Sequence, residues 1–341
     1  MNTSQPQNCN TTMIRTHALL NIAKSIRSIK EAKNQGIEYL EPNIDLAAIQ
    51  RKLDQLESQY YFNHQGYVTN LTDTVESAKI NPYTEECKIL SPAGNKRIWH
   101  YNEAAAIQFI PAKLAVIGAG IDSIEIATIY QALGSNVDIF ITGDEVFPEL
   151  DKDINKAFQR YVKRLFKIKP QAEITAFNCT DHHVQLSVTS KNKMLKGTDY
   201  DAIFIADDAD SQLDLLTHPF MATSFPTVAW LGWTEKKLAI SALNYKVINI
   251  PWRSLGRANT DVNTNGLTKL IFNTDDNTLI GGGTMGNNAD EIFGEICLAI
   301  HNKFTADNIA HTVHAHPTLH ESILLAAEVY NGTATDVLNE G

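Results

Sequence analysis

The sequence predicts an α/β fold in three parts: a helical N-terminal region, a central domain built on a parallel sheet, and a C-terminal α+β domain. Residues 16–33 and 44–61 repeat apolar side chains three and four positions apart, which is typical of amphipathic helices. Residues 113–141 hold two apolar runs separated by a glycine turn and a helical pattern, the order of a β-α-β unit. Residues 225–335 alternate short apolar runs with helical patterns.

The two N-terminal helices, predicted at 16–33 and 44–61, are joined by a short connection. We therefore expect them to pack against each other as an antiparallel hairpin. From 66 to 100 the pattern changes to short strands, which are predicted at 88–90 and 97–99.

The central domain begins with a predicted buried strand at 113–117, in which only the first residue is charged. Gly118 and Gly120 form a tight turn, and a helix at 121–133 follows. A second strand at 137–141 completes the unit. Further along, the predicted elements are a helix at 151–167 and several strands within 173–205.

The C-terminal domain carries two predicted helices, at 289–302 and 318–331. These elements predict three parts: an N-terminal region at 1–110, a Rossmann-like domain at 111–210 and a third domain at 222–335.

Composition excludes several classes of protein. The net charge of −10 over 341 residues argues against a broad nucleic-acid-binding surface. The sequence contains no run of about 18 apolar residues, so we expect no membrane span. The cysteines Cys9, Cys87, Cys179 and Cys297 are scattered and form no C-x-x-C pair. This usage favours the reducing cytoplasm and no metal site.

The segment 314–321 reads HAHPTLHE and places His316 five residues before Glu321. Pro317 suits the first position of a helix, because a proline lacks the N–H that is unneeded there. From the first turn of that helix, the Glu321 carboxylate would accept a ring N–H of His316 and make the imidazole a better base.

This segment resembles the active-site dyad of dihydrolipoamide dehydrogenases, which belong to the FAD- and NAD-dependent pyridine nucleotide-disulfide oxidoreductases. The resemblance continues through Pro226–Glu235, Arg257–Gly266 and Leu279–Ile300. It implies that residues 225–335 form the family's interface domain and make a two-fold homodimer. It also implies that His316 and Glu321 are the catalytic dyad, which in the family serves the flavin and disulfide of the opposite subunit.

The glycine turn departs from a complete dinucleotide fingerprint. Gly118 and Gly120 occupy the first two glycine positions, but Ser123 stands at the third. Glu125 matches the family's glutamate in the first helix. Together these four residues form the candidate NAD-type site. Asp122 places a carboxylate in the first helical turn, where a pyrophosphate would lie.

Two further departures concern the ribose and the diphosphate. The position that holds the ribose hydroxyls in nucleotide-binding domains carries Ile141, which has no hydrogen-bonding group. Asp207 and Asp208 stand where the family has a glycine, often followed by an arginine. We therefore expect NAD to bind weakly or not at all.

The flavin machinery of the family has no counterpart that the sequence reveals. No second G-x-G-x-x-G precedes residue 113. When residues 14–20 are aligned with the end of the family's redox-disulfide segment, the cysteine positions hold Asn8 and Met13. The resemblance therefore predicts a relative that lacks most of the FAD domain and the redox disulfide, and no cofactor is expected.

The leading hypothesis is a dimer with a structural, regulatory or binding role and without flavin-dependent redox activity. Two enzymatic alternatives remain open. In one, the chain is an oxidoreductase with an altered cofactor site. In the other, it forms a heterodimer with a full-length flavoprotein relative and donates His316 and Glu321 to that partner.

Overall fold

The structure is a computed structural model, and it describes residues 7–64, 95–206 and 216–335 apart from positions 39, 41, 191, 192, 262 and 263. The described residues form two compact units. The first lies within Met1–Val146 and Leu165–Gln212, and the second lies within Phe147–Arg164 and Leu213–Gly341.

Within the described residues, the first unit combines four α-helices with a parallel sheet and an antiparallel sheet. Its helices are α1 (Gln7–Ala32), α2 (Leu46–His64), α3 (Tyr101–Ala106) and α4 (Ile121–Ala132), with a short 3₁₀ helix at Lys33–Gln35. Its strands are β1 (Ile98–Trp99), β2 (Lys113–Ile117), β3 (Asn136–Phe140), β4 (Lys167–Lys169), β5 (Ala172–Cys179), β6 (Val184–Ser190), β7 (Lys193–Tyr200) and β8 (Ala202–Ile205).

The parallel sheet has the strand order β1-β8-β2-β3-β4. Val116 in the central strand β2 pairs with Ile139 of β3 and with Phe204 of β8. All three side chains are fully buried, as expected of a parallel sheet covered on both faces. Because parallel strands end at the same edge, the loop that follows β2 lies at the carboxyl edge of the sheet.

The antiparallel sheet, of order β5-β6-β7, forms a second layer of this unit. Val184, Leu186 and Val188 alternate along β6, and their side chains pack into one core with Ala115 of β2 and Ile203 of β8.

Helix α1 packs against α2, as the hairpin prediction expected, and makes a more extensive contact with α4. The guanidinium group of Arg15 on α1 forms ion pairs with two residues of α2, Asp54 at 2.5 Å and Glu57 at 2.7 Å. The apolar face of α1 buries Leu19, Leu20, Ala23 and Ile26. The N-terminal helices therefore form a layer over the β-α-β unit.

The second unit is built on an antiparallel sheet of order β11-β12-β13-β10-β9. Its strands are β9 (Phe220–Ala222), β10 (Thr227–Gly232), β11 (Tyr245–Pro251), β12 (Leu267–Asn273) and β13 (Leu279–Gly286). Its helices are α5 (Lys152–Val162), α6 (Glu235–Leu238), α7 (Gly256–Thr260), α8 (Ala289–His301), α9 (Ala306–Ala310) and α10 (Glu321–Asn331), with a 3₁₀ helix at Trp252–Ser254.

Strand β12 separates two environments, because successive side chains of a strand point to opposite faces. Leu270 and Phe272 face the core formed with α8 and α10. Lys269 is fully buried on the other face, where its ammonium group meets three carboxylates. Its Nζ lies 3.3 Å from Asp151 and 2.8 Å from Asp153, and it also contacts Glu235.

The observed architecture confirms the predicted fold class, including the parallel α/β domain, the C-terminal α+β domain and the N-terminal helices. The predicted strand at 88–90 lies outside the described residues. The domain boundaries 1–110, 111–210 and 222–335 stay predictions. Within the described residues, none of the helices combines the length and the apolar character that a bilayer crossing requires.

Candidate functional site

The residues His316 and Glu321 are in direct contact. His316 Nδ1 lies 2.8 Å from Glu321 Oε1. The second carboxylate oxygen, Oε2, accepts the backbone N–H of Thr318 at 2.8 Å. Glu321 is thereby held by two donors and in turn holds the ring of His316. The His316 side chain is 75% exposed, whereas that of Glu321 is only 19% exposed.

The route by which Glu321 reaches His316 differs from the sequence prediction. The helix was expected to begin at Pro317, but α10 begins at Glu321, and His320 is its N-cap residue. Residues 317–320 are not helical, and the bond from Ser322 N–H to Leu319 O at 3.1 Å closes a turn over residues 319–322. The carboxylate therefore points back from the first helical residue and needs no helical turn between the partners.

A second carboxylate, Glu295 of α8, binds two further histidines of the same segment. Its Oε1 lies 2.6 Å from His314 Nε2, and its Oε2 lies 2.5 Å from His320 Nδ1. The other ring nitrogen of His314, Nδ1, lies 2.8 Å from the carbonyl oxygen of Thr312. A carboxylate and a carbonyl can only accept, so both ring nitrogens of His314 carry hydrogen and the ring is an imidazolium.

The electrostatics agree with this protonation state. The hydrogen bond to Glu295 raises the pKa of His314 above its ordinary value, although burial opposes the shift. Burial by itself would raise the pKa of Glu295, but the bonds from His314 and His320 outweigh it and lower that pKa. His314 and Glu295 therefore form a charge-assisted hydrogen bond, and His320 is an additional donor to the same carboxylate.

A cavity of about 320 Å³ opens beside this cluster. Its wall combines Glu295, His314 and His320 with apolar side chains. The apolar lining residues are Leu298, Ala299, Phe304, Ile309, Val313 and Ala315. Of these, Leu298 is 57% and Val313 is 96% exposed.

The glycine turn of the first unit has the geometry of a phosphate cradle. Gly118 follows β2 with a φ of 138°, a conformation that favours glycine. Its N–H donates to Phe140 O at 3.0 Å, which fixes the turn against β3. Gly120 is the N-cap residue of α4 and has no side chain with which to cap that helix. The first-turn N–H groups of α4 are thus in the arrangement that binds anions at helix N-termini.

The remaining residues of the candidate nucleotide site do not project from the turn. Ser123 is fully buried in α4, and its Oγ has no hydrogen-bond partner among the described residues. Glu125 is 5% exposed and Ile141 is 1% exposed. These three side chains are therefore buried, whereas the turn at Gly118 and Gly120 presents main-chain groups.

Several sequence predictions concern residues at or beyond the edges of the described chain. Asp207 and Asp208 lie outside the described residues, and nothing is described of the Asn8 side chain. Met13 lies on α1 and is 47% exposed. Across the described residues, histidine, cysteine, aspartate and glutamate form no group of three or more that could hold a metal ion.

Comparisons with known proteins identify relatives for both units. Residues 113–193 match the pyridine nucleotide-disulphide oxidoreductase family, and residues 218–327 match its dimerisation domain. A dihydrolipoyl dehydrogenase from Haemophilus influenzae is 30% identical, with 96% of this chain and 87% of the relative covered. One from Vibrio cholerae is 28% identical, with 96% and 88% covered.

Solved structures share the fold. LpdA from Mycobacterium tuberculosis gives a TM-score of 0.76 at 15% identity, with 92% of this chain and 89% of that chain covered. The HOCl-induced flavoprotein disulfide reductase RclA from Escherichia coli gives 0.70 at 12% identity, with 92% and 89% covered.

The alignment with the H. influenzae relative spans 421 positions, more than the 341 residues of this chain. The relative therefore carries residues inside the aligned range that this chain lacks. This agrees with the prediction of a shortened relative.

The expectation that the chain takes no cofactor is wrong. It is overturned by the match of residues 113–193 to a family named for its pyridine nucleotide, together with the dihydrolipoyl dehydrogenase relatives at 28–30% identity over 96% of the chain. The physical error was to weigh side chains at Asp122 and Ile141 above the main chain. The cradle at Gly118 and Gly120 presents backbone N–H groups, which a substitution at Ile141 does not remove.

Sequence reasoning missed Glu295 and the histidines it binds. The only available signal was the presence of three histidines within HAHPTLHE, because Glu295 lies 19 residues before His314 and 25 before His320. It also missed the Lys269 cluster, in which the lysine bonds Asp153 across 116 positions of the chain.

Proposed function

Because the chain belongs to the pyridine nucleotide-disulfide oxidoreductase family, we propose that it works as a thiol–disulfide oxidoreductase subunit in which His316 accepts the proton of a thiol. One observation carries the proposal: His316 is oriented by Glu321 and exposed at the surface of the second unit. An exposed imidazole that is oriented in this way can accept a proton from a group outside the unit.

The proton transfer follows from the hydrogen bond. Donation of the Nδ1–H to Glu321 leaves the lone pair on Nε2. The S–H proton of an approaching thiol moves to this nitrogen, and the sulfur keeps the electron pair as a thiolate. The imidazolium that forms is stabilised by its hydrogen bond to the Glu321 carboxylate.

The thiol is supplied from outside the dyad. The four cysteines of the chain stand at Cys9, Cys87, Cys179 and Cys297, and none forms the four-residue-spaced pair of the family. We propose that the thiol belongs to a dithiol substrate or to a full-length flavoprotein relative in a heterodimer. The names of the dihydrolipoyl dehydrogenase relatives support a dihydrolipoyl group as the substrate class.

We further propose that a pyridine nucleotide binds at the carboxyl edge of the parallel sheet. Gly118 and Gly120 fit a diphosphate, since their turn leads directly into the N-terminus of α4 and carries no side chain at either glycine. When it is bound, the nucleotide supplies hydride chemistry. The chain itself contributes the cradle of main-chain N–H groups and the buried β2–α4 support beneath it.

A mixing experiment tests the function. The chain is combined with a full-length dihydrolipoyl dehydrogenase whose own dyad histidine is replaced by glutamine, and dihydrolipoamide oxidation is measured. Wild-type chain should restore activity, and His316→Gln should lower that activity by about 100-fold or more, the usual contribution of a general base.

His311→Gln is the matched control, because His311 is an exposed histidine that precedes the same segment and contacts neither carboxylate. A mixed dimer that shows no activity with wild-type chain contradicts the heterodimer arrangement. Equal activities of the wild-type and His316→Gln mixtures contradict the role of His316.

A second candidate is a binding or regulatory dimer in which the dyad takes no part in turnover. The absence of the family's cysteine pair from the sequence favours it. It predicts that the chain joins a full-length relative and changes the stability or partner choice of that relative, with His316→Gln behaving as wild type.

A further inference from the structure

The segment that carries His316 has little regular structure of its own. It runs from the end of α9 at Ala310 to the start of α10 at Glu321, and residues 311–320 form neither helix nor strand. Its conformation therefore depends on side-chain contacts to better-ordered elements.

Glu295 is the contact that comes from outside the segment. Its two oxygens bind His314 and His320, which stand two residues before His316 and one residue before Glu321. One carboxylate thus fixes both ends of the turn that holds the dyad. The His314 side chain is only 5% exposed, so this end of the clamp is shielded from water.

The helix behind Glu295 is rigidly held. α8 spans 13 residues, and Ile292, Ile296 and Ala299 are buried in the core of the second unit. These side chains anchor the helix that carries Glu295 in the core of the second unit. A small shift of a base relative to its thiol costs much of the rate, because proton transfer needs hydrogen-bond distance.

We propose that Glu295 is a positioning residue for the dyad and that it sets the orientation of the His316 ring through His314 and His320. This inference rests on the proposed function for its catalytic consequence. Its structural content, that Glu295 determines the state of the His316 ring, is independent of catalysis.

The test follows the ring nitrogens of His316 by ¹⁵N NMR of histidine-labelled full-length chain, with His316→Gln identifying the signals. In the wild type, Nδ1 should carry the hydrogen of the neutral ring, because Glu321 accepts it. In Glu295→Gln, the amide can no longer accept from both histidines. The single Nδ1–H signal should then be lost in favour of averaged signals from both tautomers.

The matched control is Glu291→Gln, which removes the same charge one turn earlier on α8 from an exposed position. Its His316 signals should match the wild type. In the mixing assay, Glu295→Gln should lower kcat on the order of 10- to 100-fold with KM unchanged, since substrate contacts are retained while the base is misplaced.

A folded Glu295→Gln chain with wild-type His316 signals overturns the inference. If Glu295→Gln does not fold, His320→Ala serves instead, because His320 is 40% exposed and its loss releases one end of the clamp. Unchanged His316 signals in His320→Ala would then overturn it. Loss of the Nδ1–H signal together with an inactive wild-type mixture would refute the proposed function and leave the positioning role intact.

Discussion

Two carboxylates organise the three histidines of the dyad segment, residues 314–321. Glu321 orients His316 at the surface, and Glu295 binds the more enclosed His314 together with His320. The same residue types serve two tasks because their surroundings differ. His316 presents a free face to solvent, whereas both ring nitrogens of His314 are occupied.

The His314–Glu295 pair makes stability depend on pH. The folded pKa of His314 lies above its ordinary value of 6.5, so its stabilising contribution is complete below that value and is lost as pH rises through the raised pKa. Two further groups act on this pair. Glu321 favours the charged form of His314, and His320 binds the Glu295 carboxylate.

We therefore expect the wild-type chain to lose thermal stability on alkaline titration above about pH 6.5. His314→Asn should lose less over the same range, which differential scanning calorimetry at several pH values measures. Parallel stability curves for the two proteins would contradict the assignment of an imidazolium to His314.

Lys269 gives a second prediction at this scale. Burial alone would lower its pKa, but Asp151, Asp153 and Glu235 outweigh that effect and raise it. Lys269→Met would leave three carboxylates around a neutral side chain. Because two of these carboxylates are partly exposed, the expected loss is about 3 kcal/mol of unfolding free energy, the lower end for breaking a buried pair.

This loss is measured by denaturing the protein in urea and following the fluorescence of the second unit. Lys236→Met is the control, since Lys236 is exposed and follows Glu235 directly, and it should stay within about 0.5 kcal/mol of wild type. A Lys269→Met protein as stable as the control would show that the ion cluster contributes nothing.

At the scale of elements, the β2–α4 connection is the feature that ties local backbone to ligand binding. The strand ends at Ile117, Gly118 turns the chain with a positive φ, and α4 begins directly after Gly120. A side chain at Gly118 would be strained in that conformation.

Gly118→Ala should cost on the order of 1–3 kcal/mol in stability and weaken NADH binding at least tenfold, because the cradle must open to relieve the strain. Gly143→Ala in the same unit is the control, as a Cβ there meets no atom within 4 Å and its φ is not positive. Fluorescence titration with NADH measures the NADH affinity of both variants. Equal affinities in the two variants would place the nucleotide elsewhere.

At the scale of the whole molecule, the matched dimerisation domain leads us to expect a homodimer through residues 225–335. Much of the apolar side-chain area of this domain is used within the unit: Leu270, Phe272, Ile292 and Ile296 are buried in its core. Four large apolar side chains of residues 225–335 remain exposed and are available for a partner, namely Ile240, Leu298, Phe304 and Val313.

Val313→Asp should therefore weaken the homodimer, since it places a charge on a side chain that is 96% exposed in the single chain. In light scattering over a range of micromolar concentrations, the Val313→Asp dimer should dissociate at a higher protein concentration than the wild-type dimer does. Leu40→Asp, at a position 93% exposed outside residues 225–335, should behave as wild type. A monomeric wild-type chain would refute the dimer itself.

Features that depend only on neighbouring residues could be predicted from the amino-acid order. The strand at 113–117, its glycine turn and the pairing of His316 with Glu321 follow from local spacing, and the structure places them together. Even here the helix start was misplaced at Pro317, because local propensity does not register the bonds that Glu321 makes to Thr318.

Which distant groups come into contact depends on how the folded chain packs. Glu295 reaches His314 and His320 because α8 packs beside the dyad segment, and Lys269 meets Asp153 because β12 passes the start of α5. These contacts join residues separated by 19 to 116 positions. They form because burying a charge requires a partner, and the packed fold, rather than local spacing, decides which partner is in reach.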